Sequence, residues 1–274
     1  MKAVVGVDEK CKYRTSLSLL RRLNFQKSET YMVHVRKAGS EVLSGDPAKQ
    51  AMKQFQGNDE LEDAECVVLE GSPARKLLEF ADAEAADLIC ATATHSGALS
   101  CLILGSVCRG LAIGARQSVL IAKDGAQRKG GIKAVFATDH SPYSESCADK
   151  LFSLIPTGLE DVTVLSVITP ISFEPVSAEA AEVMVEEDER DRAEIESKTN
   201  ALASRFQKIG AASRALVQKG SATEEIAEVM RETQADLLIL GAQGHGFIDR
   251  LFIGSTSLQQ VVSEPYSVLI VRAQ

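Results

Sequence analysis

Short runs of Val, Ile, Leu and Ala recur along the chain, each bounded by polar or glycine-bearing segments. In the first half they are Lys2 to Val7, Tyr31 to Val35, Glu65 to Leu69, Leu88 to Ala91 and Ser118 to Ala122. In the second half they are Ile132 to Ala137, Val162 to Ile168, Ser213 to Gln218, Leu237 to Leu240 and Ser267 to Arg272. Runs this short and this continuously apolar predict strands buried on both faces, as in parallel sheets. Between them the apolar period lengthens. A helix is predicted at about Ser16 to Leu23, with Leu17, Leu19, Leu20 and Leu23 on its apolar side. Another opens at Gly71-Ser-Pro-Ala, with Pro73 near N1 and Leu77, Leu78 and Phe80 turned inward. Further helices are predicted at Ser144 to Leu154, Ala178 to Ile209, Ala222 to Thr233 and Ser257 to Ser263. Lys37 to Gly57 carries Gly39, Ser40, Gly45 and Pro47 and is expected to run as a loop before any short helix. Alternating strands and helices imply an α/β fold with right-handed crossovers.

The two sets of runs are a repeat. Asp87-Leu-Ile aligns with Asp236-Leu-Leu, Gly105-Ser106 with Gly254-Ser255, Ser118-Val-Leu-Ile with Ser267-Val-Leu-Ile, and Gly71-Ser with Gly220-Ser. All four share one offset (236 − 87 = 254 − 105 = 267 − 118 = 220 − 71 = 149). A duplicated domain is therefore expected, with units at 1–124 and 131–274 joined by the polar, glycine-rich seam Asp124 to Gly131. Each unit is expected to be a doubly wound five-stranded parallel sheet of strand order 3-2-1-4-5. The last strand of each unit is then an apolar edge that needs cover. A duplicated chain can supply that cover internally, as a pseudo-dimer, and two such chains can associate further.

Composition narrows the function classes. The chain of 274 residues is 45% hydrophobic and 25% charged, as an ordinary soluble globular protein is. No run approaches the ~20 apolar residues of a membrane span. Met1 to Val7 is too short for a signal peptide, so a cytosolic protein is expected. A net charge of −8 argues against nucleic acid and anionic membranes as partners. The run Glu186 to Asp191 reads as the solvated face of a helix. The cysteines Cys11, Cys66, Cys90, Cys101, Cys108 and Cys147 contain no C-x-x-C pair and read as reduced, structural thiols.

Chemistry concentrates in one stretch. Leu237 to Leu240 is followed by Gly241-Ala-Gln-Gly244-His-Gly-Phe-Ile-Asp-Arg-Leu-Phe-Ile-Gly254-Ser255-Thr256-Ser257. The order is buried strand, long glycine-bearing loop, helix start. Glycines let a backbone approach a ligand closely, and a helix start offers unpaired N–H groups to phosphate. In an open parallel sheet of this order, ligands bind beyond the strand ends where the winding reverses, here between strands one and four. Strand one of the second half ends at Thr138-Asp139, so Asp139 faces the glycine loop. Asp139 can bond a ribose hydroxyl, or serve as a turn residue before the next helix, since Asp-His-Ser-Pro is turn chemistry. The loop is neither a Walker P-loop, for no G-x-x-x-x-G-K-[ST] occurs, nor a dinucleotide fingerprint. No catalytic triad, H-E-x-x-H, calcium loop or Cys/His metal set is present.

The motif G-x2-G-x9-G-S after strand four resembles the ATP-binding loop of the universal stress protein family. The resemblance covers both halves: the Asp ending strand one, the Gly-Ser before the third helix, Ala-Asp-Leu before strand four and the final Ser-Val-Leu-Ile-Val strand. It implies an adenine nucleotide alpha hydrolase-like fold and ATP, with or without Mg2+, as ligand. It implies an adenosine-side role for Asp139 and a backbone contact from Val167 to the adenine edge. Gly241 and Gly244 would let the loop approach ribose and phosphate. Gly254, Ser255 and Thr256 would donate to phosphate oxygens, with Ser257 a weaker candidate. His245 and Arg250 either reach a phosphate or face solvent. It also implies dimerisation through the last strand. The protein is expected to be an adenine-nucleotide-binding regulatory protein of stress response, at most a weak ATPase. The alternatives are a slow nucleotide-hydrolysing enzyme and an interaction module that binds no nucleotide.

The first half departs from the motif. Thr92 stands for Gly241 and His95 for Gly244, while Asp8, Gly105 and Ser106 remain. If those glycines take positive φ, a threonine there is strained by ~1–2 kcal/mol. The first half is therefore expected to bind ATP weakly or not at all, although Gly97 offers partial compensation.

Overall fold

The apolar runs become β1 (Lys2–Val7), β2 (Glu29–Arg36), β3 (Ala64–Glu70), β4 (Leu88–Ala93) and β5 (Ser118–Lys123), then β6 (Ile132–Thr138), β7 (Leu159–Ile168), β8 (Ala212–Lys219), β9 (Leu237–Gly241) and β10 (Ser267–Val271). The structure, a computed structural model, describes residues 1–8, 13–26, 29–36, 64–93, 104–123, 130–170, 178–243 and 253–273. The expected loop at Lys37 to Gly57, most of the Asp124 to Gly131 seam, and His95, Gly97, Gly244, His245 and Arg250 lie outside the described residues. The described helices are α1 (Arg14–Leu23), α2 (Pro73–Ala83), α3 (Ser106–Gly114), α4 (Pro142–Leu154), α5 (Ala178–Lys208), α6 (Ala222–Thr233) and α7 (Ser255–Ser263).

Each half has the strand order 3-2-1-4-5, and the halves join into one sheet, β3-β2-β1-β4-β5-β10-β9-β6-β7-β8. Pairing is parallel within each half and antiparallel between β5 and β10. The two strands expected as edges thus lie at the centre, and every residue of both is buried. Their register centres on Leu120 opposite Leu269, which are repeat equivalents (269 − 120 = 149). A local twofold axis through that pair relates Val119–Ile270 to Ile121–Val268. Edge positions fall to β3 and β8, whose burial alternates and whose charged residues Glu65, Glu70, Arg214 and Lys219 discourage further pairing.

Two cores form, one on each face of the sheet, and each spans both halves. One gathers Leu17, Leu20 and Leu23 of α1, Cys147 and Leu151 of α4, and Leu202 and Phe206 of α5. Phe206 also meets Phe136 and Phe152, with ring centroids 5.5 and 4.7 Å apart. The other gathers Leu77, Leu111, Ile226 and Val261 from α2, α3, α6 and α7. The long helix α5 packs on the core through Leu202, Ala203 and Phe206 near its C-terminal end. Glu186 to Asp191 are exposed, as expected of a solvated acidic face. No helix among the described residues is long and apolar enough to cross a membrane.

Helix ends follow their local chemistry. The Ser141 hydroxyl accepts from Ser144 N (3.2 Å) and Pro142 occupies the first turn of α4. Asn24 and Ile155 end α1 and α4 in left-handed conformations. The chain after Ile155 runs against α1: Gly158 N donates to Leu23 O (3.0 Å), and a Cβ on Gly158 would lie 1.6 Å from Arg22 O. Glycine is required there for space.

Candidate functional site

The winding of the second half reverses between β6 and β9. Their pairing ends at Ala137 opposite Leu240, after which the chains diverge. β6 turns away through Asp139 and His140. Thr138 Oγ1 accepts from His140 N (3.1 Å) and Asp139 Oδ1 from Ser141 N (3.0 Å). These bonds hold His140 at φ 53°, a sparsely occupied region for a non-glycine residue. The Asp139 side chain is exposed at this corner, so its turn role is observed. The His140 ring reaches toward β7 and α5. Its Nε2 lies 2.9 Å from Ser166 Oγ and 3.0 Å from Thr199 Oγ1, tying the turn to β7 and α5. Burial, aided by the nearby Lys198 charge, holds His140 below the ordinary imidazole pKa.

The opposite wall is the end of β9. Gly241 is fully enclosed: a Cβ there would lie 3.3 Å from Gln243 O, 3.4 Å from Cys147 Sγ and 3.7 Å from Tyr143 Cε1. Its φ is not positive, and neither is that of Thr92 in the first half. The expected backbone strain at Thr92 therefore does not arise. What the threonine changes is space and bonding: its Oγ1 accepts from Ser16 N (3.1 Å) in the first turn of α1. In the first half a side chain thus bridges β4 to α1 where the second half has none.

Beyond Gly241 the chain leaves at Gln243 and returns at Ile253. Gly254 N donates to Ala242 O (2.7 Å), closing the loop at its neck. Gly254 then caps α7 with φ −65°, and a Cβ there would meet Ala242 O at ordinary contact distance (3.5 Å), so space alone does not demand glycine. Ser255 is exposed and Thr256 half-exposed. Among the described residues the N–H groups of Ser255, Thr256 and Ser257 find no partner, as the first turn of a helix dictates. No acidic side chain occupies that turn. Ser257 is different. It is buried, and its hydroxyl donates to Gly241 O (2.9 Å), clamping helix start to strand end. Its repeat equivalent does the same: Cys108 Sγ donates to Thr92 O (3.5 Å; 257 − 108 = 149). The sequence reading missed this clamp, although the offset alone pairs the two residues.

Val167 stands on β7, half-buried. β6 stops pairing with β7 at Thr138 opposite Ser166, while β8 continues to Ile168. Val167 and Ile168 thus have no β6 partner at the crevice side. Asp139, Val167, Gly241 and the Gly254–Thr256 start of α7 all lie at the carboxyl edge of the sheet; Gly244 is outside the described residues. Cys66, Cys90, Cys108 and Cys147 are free thiols, and burial pushes Cys108 up to about 11.

The model of the universal stress protein family matches residues 17–123 and again 133–272. The chain belongs to that family. As a universal stress protein it carries two tandem copies of the domain. Similar solved structures include a universal stress protein from Archaeoglobus fulgidus, 14% identical over 100% of this chain and 98% of that one, with TM-score 0.64. Another is a protein from Pseudomonas aeruginosa described as a putative universal stress protein, 14% identical over 98% and 92%, with TM-score 0.71. A protein of the family from Arabidopsis thaliana, with AMP bound, matches 52% of this chain over 92% of its own (16% identity, TM-score 0.34). At 14% identity the likeness to the Archaeoglobus and Pseudomonas structures speaks to fold alone. No curated protein matches the chain.

Proposed function

We propose that this universal stress protein binds an adenine nucleotide, ATP, in the crevice between β6 and β9 of its second half, and acts as a nucleotide-dependent regulatory protein. The observation that carries the reading is the loop neck. Gly254 N–H closes on Ala242 O and aims the unpaired first-turn amides of α7 beside the enclosed Gly241. Amide donors at a helix start, with no carboxylate beside them, suit a polyphosphate. In this reading Ser255 and Thr256 donate to phosphate oxygens, and Gly244 lets the loop approach. Asp139 bonds the ribose from its corner. The unpaired end of β7 at Val167 takes the adenine edge. Ser257 serves by holding the α7 start against β9 rather than by touching ligand. ATP, with or without Mg2+ on its phosphates, would supply the negative charge that these donors face.

The units 1–124 and 131–274 act together as an intramolecular pseudo-dimer, supported by the antiparallel β5–β10 pair. The first half binds nucleotide weakly or not at all, because Thr92 spends its side chain on α1. Calorimetric titration of the intact chain with ATP and AMP, with and without Mg2+, tests the reading. One site per chain is expected, lost in Gly244→Val and kept in Gly105→Val. Two equal sites refute the assignment to the second half alone. A folded chain that takes up neither nucleotide refutes the whole reading.

A further inference from the structure

The seam between the halves holds two buried cations at repeat-equivalent positions, Lys123 and Arg272 (272 − 123 = 149), exposed by only 4% and 3%. Each lies at the end of a central strand and crosses to a helix of the other half. Lys123 Nζ donates to Val261 O (2.6 Å) and to Glu264 O, at the C-terminal end of α7. Arg272 Nη2 donates to Ala112 O (2.6 Å), in the last turn of α3. The backbone repeats the exchange: Lys123 N donates to Ser267 Oγ (3.1 Å) and Arg272 N to Ser118 Oγ (3.2 Å). Unpaired carbonyls at a helix end carry partial negative charge, so a buried cation there both satisfies and fixes them.

We infer that Lys123, a residue of the first half, is a positioning residue for the second half's candidate phosphate helix, so that the first half sets the competence of a site it does not form. The helix has nine residues, from Ser255 to Ser263. Its first turn is held by Ser257 on Gly241 O and its last by Lys123. A helix of about two and a half turns moves as one piece, so releasing one end displaces the other. The Arg272 contact on α3 is the mirror arrangement and acts on the first half, whose loop departs from the motif. The inference rests on the nucleotide reading only for its consequence; the clamp itself is tested without ligand.

The experiment compares the intact protein with Lys123→Met, which keeps volume but not charge, Lys123→Arg, which restores a donor, and Arg272→Met as the mirror control. Amide hydrogen exchange without nucleotide is followed for α3 and α7, and ATP affinity by calorimetry. Lys123→Met is expected to speed α7 exchange about tenfold or more relative to α3, with the order reversed in Arg272→Met. ATP affinity is expected to fall about tenfold in Lys123→Met and to recover in Lys123→Arg. Unchanged α7 exchange in folded Lys123→Met overturns the clamp. Faster α7 exchange with unchanged ATP affinity overturns the coupling. Failure of the wild type to bind ATP sinks the nucleotide reading instead, and the exchange data still decide the clamp. Should Lys123→Met not fold, Lys123→Gln is measured the same way with the same outcomes decisive.

Discussion

Single side chains at the carboxyl edge divide between building the site and facing it. Ser257 is a builder. Ser257→Ala leaves the buried Gly241 carbonyl one donor short and should destabilise the protein by about 1–2 kcal/mol in urea unfolding. A smaller loss than about 0.5 kcal/mol would mean that the clamp is replaced by water. Lys123 gives a second residue-level outcome. Burial lowers its pKa from 10.5 to about 8, against the opposing pull of Glu264 and Cys108. The folded chain then sheds this proton near pH 8 while the unfolded chain keeps it to about 10.4. Stability contributed by this group therefore rises with pH across that window. Wild type minus Lys123→Met, measured by denaturant unfolding at pH 7.5 and 10, should shift in favour of wild type at the higher pH. A flat difference would show that the lysine is not desolvated in solution. Buried thiols pull the other way in both proteins, since burial raises Cys90, Cys108 and Cys147.

At the scale of elements, the proposed phosphate site rests on α7. Ser255 is exposed at its first position, so a carboxylate there is sterically free and favourable to the helix. Ser255→Asp should leave stability equal or raise it by about 0.3–1 kcal/mol through the helix dipole. The same charge should repel a polyphosphate and cut ATP affinity about tenfold or more. Thermal melting and ATP titration of one variant thus move in opposite directions; parallel movement would show that α7 is not the phosphate end. Much of this element was legible in the sequence, because Gly254-Ser255-Thr256 announces a helix start. The helix α3 was legible only through its repeat partner. The turn after β6 was legible as turn chemistry at Asp139, but the left-handed His140 was not. Its conformation depends on Thr138, two residues earlier, and on Ser166 and Thr199, which come from a separate strand and helix.

At the scale of the molecule, the halves share both cores, so they should unfold together. Ion pairs lace the seam: Lys150 meets Asp87 (2.7 Å) and Arg22 meets Asp236 (3.5 Å), each cation coming from the opposite half. Gly158→Ala presses a methyl into Arg22 O and should destabilise both halves in a single transition, by the ~1–3 kcal/mol typical of overpacking. Two separated transitions in calorimetry would show that the halves are independent units. Asp87 adds an acid dependence. Burial raises its pKa, but the Lys150 contact and the Lys2 N–H more than offset this, leaving it lowered. Its stabilisation is present above the ordinary carboxylate range and is lost as pH falls through the lowered value.

The sequence by itself determined the strands, the duplication and the place of the glycine loop. Each is written in local periodicity or in residues repeated at one spacing, and local chemistry is enough to specify it. It also determined that β5 and β10 would be too apolar to remain edges. Only the tertiary structure decided how they are covered: by each other, antiparallel, about Leu120 and Leu269. It likewise decided that Thr92 bonds α1 and carries no backbone strain, and that Lys123 and Arg272 turn inward across the seam. Those outcomes depend on which groups of the other half lie within hydrogen-bonding distance. Pairing between residues more than a hundred positions apart leaves no periodicity in the chain, because it is set by packing and by the need of buried carbonyls for donors.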